Sequence, residues 1–421
     1  MHVVVLGLWH LGSVTAACLA RHHRVTGLDF DKVELAKLRS GHAPLHEPGL
    51  DDLLAAGLAT GQLDFSDDIA AAGLADVLWI CYDTPVDAND RSDLPWVQSR
   101  LDRILPSLRQ GTVVLVSSQL PVGTCAQLAR KYPCLHFACS PENLRLGKAI
   151  EAFEKPTRII VGTSSPPVRE ILGEMLAPLC APLVWMRTES AEMVKHALNS
   201  FLAMSVAYIN EIAALSETVG ADAHEVATGL KSDPRIGTRA YLGPGGPFAG
   251  GTLARDVMTL TELAIAQKLP IAIIPAIKES NDHHRGWAFR KVQFALIGIN
   301  QPVVAVLGLA YTPNTSTLRR SAAVELCRQL LAAGIRVQAY DPLIQTSDEE
   351  HHDLSLMPTA AESLRRAHAV VICTEWPEFR ELPWPKLLAT MVRPVVIDAN
   401  RFIEKVVTPI PNVFYLTVGC P

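Results

Sequence analysis

The sequence predicts an α/β protein with two parallel-sheet domains joined by a helical middle. Three observations lead there. A short apolar strand, Val3–Leu6, meets Gly7 and passes into a helical pattern. The theme returns at Val303–Leu309, where VVAVLGL echoes the VVVLGL of Val3–Leu8. Between the two lies a long helical stretch without proline. Strand, glycine turn, helix and strand in succession is the signature of a parallel βαβ unit.

The elements follow in order. After the first strand, Ser13–Ala20 is helical and Val25–Asp29 is strand-like. Val77–Cys81, Val113–Val116 and Ile159–Val161 are continuous apolar runs, as expected of strands buried on both faces. A helix is predicted from about Ser190 to Val219, running into Gly220. From Ala221 to about Ile297 the pattern stays helical, interrupted by Asp233–Gly251, whose glycines and prolines predict a loop. A helix over Ala322–Ala333, then Gly334, precedes a strand at Val337–Asp341. Both βαβ units end on an aspartate, Asp29 and Asp341. The division expected is a Rossmann-like domain over 1–189, a helical domain over 190–298 and a second Rossmann-like domain over 299–421.

Composition agrees. At about 150 residues per domain, 421 residues suggest two or three domains. Hydrophobic residues are 49% and charged residues 19%, with mean hydropathy +0.19, which excludes a disordered chain. Net charge is −5 and the isoelectric point is near 6.3, so no basic surplus points to nucleic acid or to a polybasic membrane contact. An anionic substrate would have to be met by local cations. The nine cysteines form no CxxC and no zinc spacing, which fits reduced thiols and no metal. The N-terminus lacks a secretory pattern, and no apolar run is read as a membrane span. A soluble, cytoplasmic protein is expected.

The first turn reads Gly7-Leu8-Trp9-His10-Leu11-Gly12. A dinucleotide fingerprint is GxGxxG, followed about 20 residues later by an acid. Gly7, Gly12 and Asp29 meet that pattern, while Trp9 replaces the second glycine. A Cβ there is expected to crowd a pyrophosphate. Asp29 at the end of the second strand suits ribose hydroxyls and would repel a 2′-phosphate, so NAD is favoured over NADP. Gly7, Trp9, Leu11, Gly12 and Asp29 are the cofactor candidates of this turn.

Segments along almost the whole chain resemble the UDP-glucose/GDP-mannose dehydrogenase family. They include Glu47-Pro48-Gly49-Leu50, Asp83-Thr84-Pro85, Ser118–Thr124, Ser140–Gly147, Asp233–Gly237, Leu307–Tyr311, Pro313-Asn314-Thr315, Tyr340-Asp341-Pro342 and Thr374-Glu375-Trp376. Lys195, Asn199 and Asn210-Glu211 fit the family's central helix. The resemblance implies an NAD domain, a helical dimerisation core, a C-terminal domain for the nucleotide of a nucleotide sugar, and a homodimer. It implies two hydride transfers, the second from a thiohemiacetal on a catalytic cysteine.

The catalytic loop aligns here with Pro247–Asp256, and Thr252 falls at the cysteine position. Other departures are Gln119 for a site threonine and Leu146 for a glutamate linked to water handling. Retained are Lys195, Asn199 and Asp256. Lys195 and Asn199 are four apart and share a helix face, where an ammonium and an amide suit a developing alkoxide. Asp256 suits a proton relay. The resemblance also implies cofactor contacts at Thr84, Gln119 and Glu142, and substrate contacts at Arg145, Arg235, Gly250 and Arg319. Adjacent histidines at 22–23, 283–284 and 351–352 are expected on the surface, and Trp376 and Trp384 in the core. Leu202, Val206, Ile209, Ile212 and Leu215 suit a dimer seam or a core helix. The expected function is oxidation of a UDP-glucose-like nucleotide sugar by NAD, stopping after one hydride because the cysteine is missing. The alternative is a paralogue that binds without catalysis, which Trp9, Thr252 and Leu146 motivate.

Overall fold

The computed structural model describes all residues except 86, 88–90, 143, 249–251, 319, 345–353 and 421. The chain forms two compact units, Met1–Leu198 and Asn199–Pro421.

The first unit is built on eight strands: β1 (His2–Leu6), β2 (Arg24–Leu28), β3 (Leu63–Ser66), β4 (Val77–Ile80), β5 (Val113–Val116), β6 (His136–Cys139), β7 (Ile159–Gly162) and β8 (Leu183–Met186). Their order is β3-β2-β1-β4-β5-β6-β7-β8. β1 pairs in parallel with β2 and with β4, Val3 standing beside Val25 on one side and Val77 on the other. β7 turns antiparallel to β6 at Cys139 and Gly162, and β8 follows β7 in parallel. Successive side chains leave a strand on opposite faces. Val3 and Val5 therefore enter one core with Val14, Leu35 and Leu54, while Val4 and Leu6 enter another with Leu78, Val97 and Leu101. Both faces are covered, which is why these strands are apolar throughout. Each buried Val or Leu contributes roughly 1.5–3 kcal/mol. The winding direction reverses between β1 and β4, and the crevice at their carboxyl ends is where such sheets bind ligands.

The second unit carries a parallel sheet in the order β10-β9-β11-β12-β13, from β9 (Val303–Leu307), β10 (Arg336–Tyr340), β11 (Ala369–Ile372), β12 (Val395–Asp398) and β13 (Phe414–Leu416). Among the described residues, the long helix and four shorter ones precede it: Ala223–Ser232, Thr252–Ala266, Ile273–Arg285 and Trp287–Ala295. Trp376 and Trp384 are buried, as expected.

The long helix runs Thr188–Val219. It stops at Gly220, whose φ of +78° is the left-handed cap that favours glycine, and the Ala221 N–H returns to the Ser216 carbonyl at 3.1 Å. Contrary to expectation, this helix is long and apolar enough, by length and composition, to cross a membrane. Core helices match that description, and this one has Ala191, Ala203, Ile209 and Ala213 fully buried within the protein. Ile209 is thereby removed from the expected seam. The stripe left outside is Phe201, Tyr208 and Leu215, spaced seven apart and 58%, 48% and 63% exposed. His284 also departs from expectation: it is buried, and its Nε2 donates to the Gly245 carbonyl at 2.7 Å. The first helix begins at His10 rather than Ser13, because its opening turn is set by the glycine turn and not by an apolar repeat.

Candidate active site

The turn after β1 is built for close approach. Gly7 has φ +91° and donates to Leu28 O at 3.0 Å; a Cβ there would lie 2.5 Å from the Tyr82 ring. A Cβ on Gly12 would lie 1.6 Å from Gly7 O, so the helix His10–Leu19 can sit this close to the turn only with glycine. Trp9 precedes this helix with φ −71°, outside the left-handed region that favours glycine. The Asp29 carboxylate accepts from Leu8 N at 2.7 Å and Phe30 N at 2.6 Å. Just beyond β4, Asp83 Oδ2 accepts from Leu11 N at 3.3 Å. Thr84 is buried and its hydroxyl donates to Gln119 O at 3.0 Å, which ties those two residues together. A switch-point crevice, a glycine turn opening a helix, and a carboxylate closing β2 fit a dinucleotide.

The second glycine turn differs. Gly308 repeats the conformation, with φ +87° and its N–H on Tyr340 O at 2.8 Å. Asp341 takes Leu309 N at 2.7 Å, Ala310 N at 2.9 Å and Trp376 Nε1 at 3.1 Å. The following helix starts only at Ala322, so no helix N-terminus opens on this turn. The internal echo is one of strands, not of phosphate-binding turns.

Three segments singled out in the sequence meet at Glu47. His10 Nε2 lies 2.8 Å from Glu47 Oε2, and the same carboxylate accepts from Gly147 N and Ala149 N, both at 2.9 Å. Burial pushes the Glu47 carboxyl up, but the His10 bond and the two N–H groups outweigh it and hold the acid below its usual range. A fourth segment, Ser118–Thr124, is held by the long helix. Glu192 accepts from Gly123 N at 2.6 Å and Cys125 N at 2.9 Å, and His196 Nε2 donates to Leu120 O at 3.0 Å.

Lys195 is buried. Its Nζ donates to Glu142 O at 2.7 Å and lies 3.1 Å from Glu142 Oε1. The other Glu142 oxygen accepts from Leu144 N at 2.8 Å, which fixes the carboxylate. In the second unit, the Asn199 amide donates to the Asp256 carboxylate, and both residues are buried. Thr252 opens the Thr252–Ala266 helix and is exposed.

Residues 245–248 are clamped by side chains to which the sequence reading gave no such role. Asn281 is buried, accepts from Phe248 N and donates to Phe248 O, each at 2.9 Å. Asn210 Oδ1 accepts from Gly245 N at 3.0 Å, and Asn400 Oδ1 from Gly246 N at 2.7 Å. His284 completes the clamp, and its burial lowers its pKa and keeps the imidazole neutral. Asn210 alone had a sequence signal, in the central-helix motif.

Of the expected substrate contacts, Arg145 and Arg235 lie among the described residues. Arg145 is exposed in the first unit. Arg235 is exposed and forks onto its own loop's Asp233, at 3.0 and 2.7 Å. Gly250 and Arg319 lie outside the described residues, as do His351 and His352. No cysteine lies between 243 and 256. Burial pushes the Cys18 and Cys373 thiols up to about 12, away from thiolate chemistry at neutral pH.

Sheet order, glycine turn and the carboxylate closing β2 define the class of dinucleotide-binding proteins built on Rossmann-like sheets. Residues 1–180 match the UDP-glucose/GDP-mannose dehydrogenase family's NAD binding domain, 189–283 its central domain and 305–405 its UDP binding domain. The chain is 35% identical to the UDP-glucose 6-dehydrogenase of Rhizobium meliloti (strain 1021), over all of both chains. It is 31% identical to the UDP-glucose 6-dehydrogenase TuaD of Bacillus subtilis (strain 168), over all of this chain and 93% of that one. A solved UDP-glucose dehydrogenase from Pyrobaculum islandicum superposes with TM-score 0.88 at 29% identity, covering 100% of this chain and 98% of that one. The chain belongs to the UDP-glucose/GDP-mannose dehydrogenase family. It is a nucleotide-sugar dehydrogenase, and its cofactor is NAD.

Proposed function

We propose that the chain oxidises a UDP-glucose-like nucleotide sugar by a single hydride transfer and stops at the carbonyl. Thr252 at the position of the nucleophilic cysteine carries this reading. A thiol ionises near 8.5; a threonine hydroxyl is far less acidic, so a covalent intermediate is not readily formed. Leu146, where the family has a glutamate linked to water handling, supports the same end point.

When bound, NAD supplies the hydride acceptor. Lys195, held by Glu142, offers an ammonium to the alkoxide that develops as hydride leaves the alcohol carbon. Asn199, one helical turn on, adds an amide whose orientation is fixed by Asp256. Asp256 also takes the hydroxyl proton, directly or through water. The C–H bond and the O–H bond break, the C=O bond forms, and one hydride and one proton depart. Thr84, Gln119 and Glu142 are assigned to the cofactor side, and Arg145, Arg235, Gly250 and Arg319 to the substrate side.

We assign the exposed stripe Phe201, Tyr208 and Leu215 to a homodimer seam and place the protein in the cytoplasm. Light scattering checks the seam: Leu215→Lys should shift dimer to monomer, and an unchanged mass would remove that face. NADH formed per UDP-glucose consumed tests the reaction. One NADH is expected; two would show full oxidation, and none would refute the dehydrogenase reading of this site.

A further inference from the structure

The dinucleotide turn carries a negative charge that its chemistry does not need. Leu11 is the second residue of the helix His10–Leu19, so its N–H has no acceptor within the helix. The first helical bond visible there is Ser13 N to Trp9 O at 3.0 Å. N–H groups in this position, together with the helix dipole, make the anion cradle that receives a pyrophosphate. In this chain the Leu11 N–H is already directed at a carboxylate, Asp83 Oδ2, at 3.3 Å. Asp83 is only partly buried and stands at the carboxyl end of β4, on the crevice side of the switch point. It heads the tripeptide Asp83-Thr84-Pro85, in which the family resemblance has glycine. A second carboxylate, Asp29, already takes the Leu8 N–H at 2.7 Å at the start of the same turn. Two of the turn's backbone donors therefore face internal anions.

We propose that Asp83 is an internal competitor for the cofactor's pyrophosphate, occupying its cradle and setting a weak affinity for NAD. The inference rests on NAD binding at this turn. A carboxylate oxygen is a geometric stand-in for a phosphate oxygen at a helix N-terminus. When a dinucleotide enters, Asp83 gives up the Leu11 N–H and remains nearby as a like charge, and both effects act against binding. The same contact steadies the turn of the free protein by satisfying an orphan donor. Affinity for cofactor and stability of the free turn are thus set against each other at one residue.

Isothermal titration tests this on the full-length protein with three probes: NAD, ADP-ribose and adenosine. Asp83→Asn keeps the shape and removes the charge; Asp83→Gly removes the side chain. Circular dichroism and melting curves verify that each variant is folded. Both variants should bind NAD and ADP-ribose about tenfold tighter than the wild type. Adenosine, which has no phosphate, should bind equally to all three. Asp83→Gly should also melt at a lower temperature than the wild type. A gain below threefold in Asp83→Asn, or a loss, overturns the proposal while leaving NAD binding intact. An equal gain for adenosine overturns it too, because the effect would not be on the pyrophosphate. If no form binds NAD, the cofactor reading of the turn falls with it.

Discussion

Asn281→Ala should unfasten the segment that leads to Thr252. The Asn281 side chain is 3% exposed, and its amide makes a reciprocal pair with Phe248, N–H to Oδ1 and Nδ2 to C=O, both at 2.9 Å. Phe248 itself is 7% exposed. Truncation removes both partners at once and leaves a buried donor and a buried acceptor. Each unsatisfied group costs about 1–3 kcal/mol, and some of that is recovered by water or local relaxation. The expected loss is about 3 kcal/mol in unfolding free energy, read by urea titration with an unchanged slope. Asn281→Asp is the sharper variant. It keeps an acceptor for Phe248 N–H but sets a second carboxylate oxygen against Phe248 O, so it should be at least as damaging as alanine. A loss below about 0.5 kcal/mol in both variants would refute the clamp.

Three further outcomes are expected. Lys195→Met keeps the apolar stem and removes the ammonium; kcat should fall by about 100-fold or more, and an unchanged kcat would remove Lys195 from the chemistry. Glu47→Gln should lower stability at pH 7 by about 1–3 kcal/mol. The Glu47 carboxyl is held below its ordinary 4.5 in the folded chain, so its contribution is full above about pH 4.5 and fades as pH falls through the lower folded value. Melting curves of wild type and variant at pH 7 and pH 4 check this; a gap that does not narrow in acid would show that the charge is not the cause. Trp9→Gly should tighten NAD binding measured by titration, since it removes the Cβ and indole from the position where the fingerprint has glycine; no change would show that the turn accommodates the indole.

The long elements were legible because their signal is local. β1, β5 and β9 are unbroken apolar runs, and the 32-residue helix is a sustained pattern ending at a glycine. β3, β6, β8, β11, β12 and β13 were not read, because strands of three or four residues carry little pattern, and β8 and β13 are partly exposed as well. The dehydrogenase family was readable from short motifs strung in order along the chain. What holds those motifs was not. His10 finds Glu47 across 37 residues, Gly147 finds it across 100, and Phe248 finds Asn281 across 33.

By itself, then, the sequence determined the class of fold, written in the spacing of its strands and helices, and, through the family resemblance, the cofactor. Only the tertiary structure decided that Lys195 is anchored by Glu142, that Asn281 and His284 hold Phe248 and Gly245, and that Asp83 faces the phosphate turn. The physical reason is that a buried polar group must find a partner wherever the chain brings one. Parallel strands joined by crossovers bring together residues far apart in sequence, and no local pattern records which of them will meet.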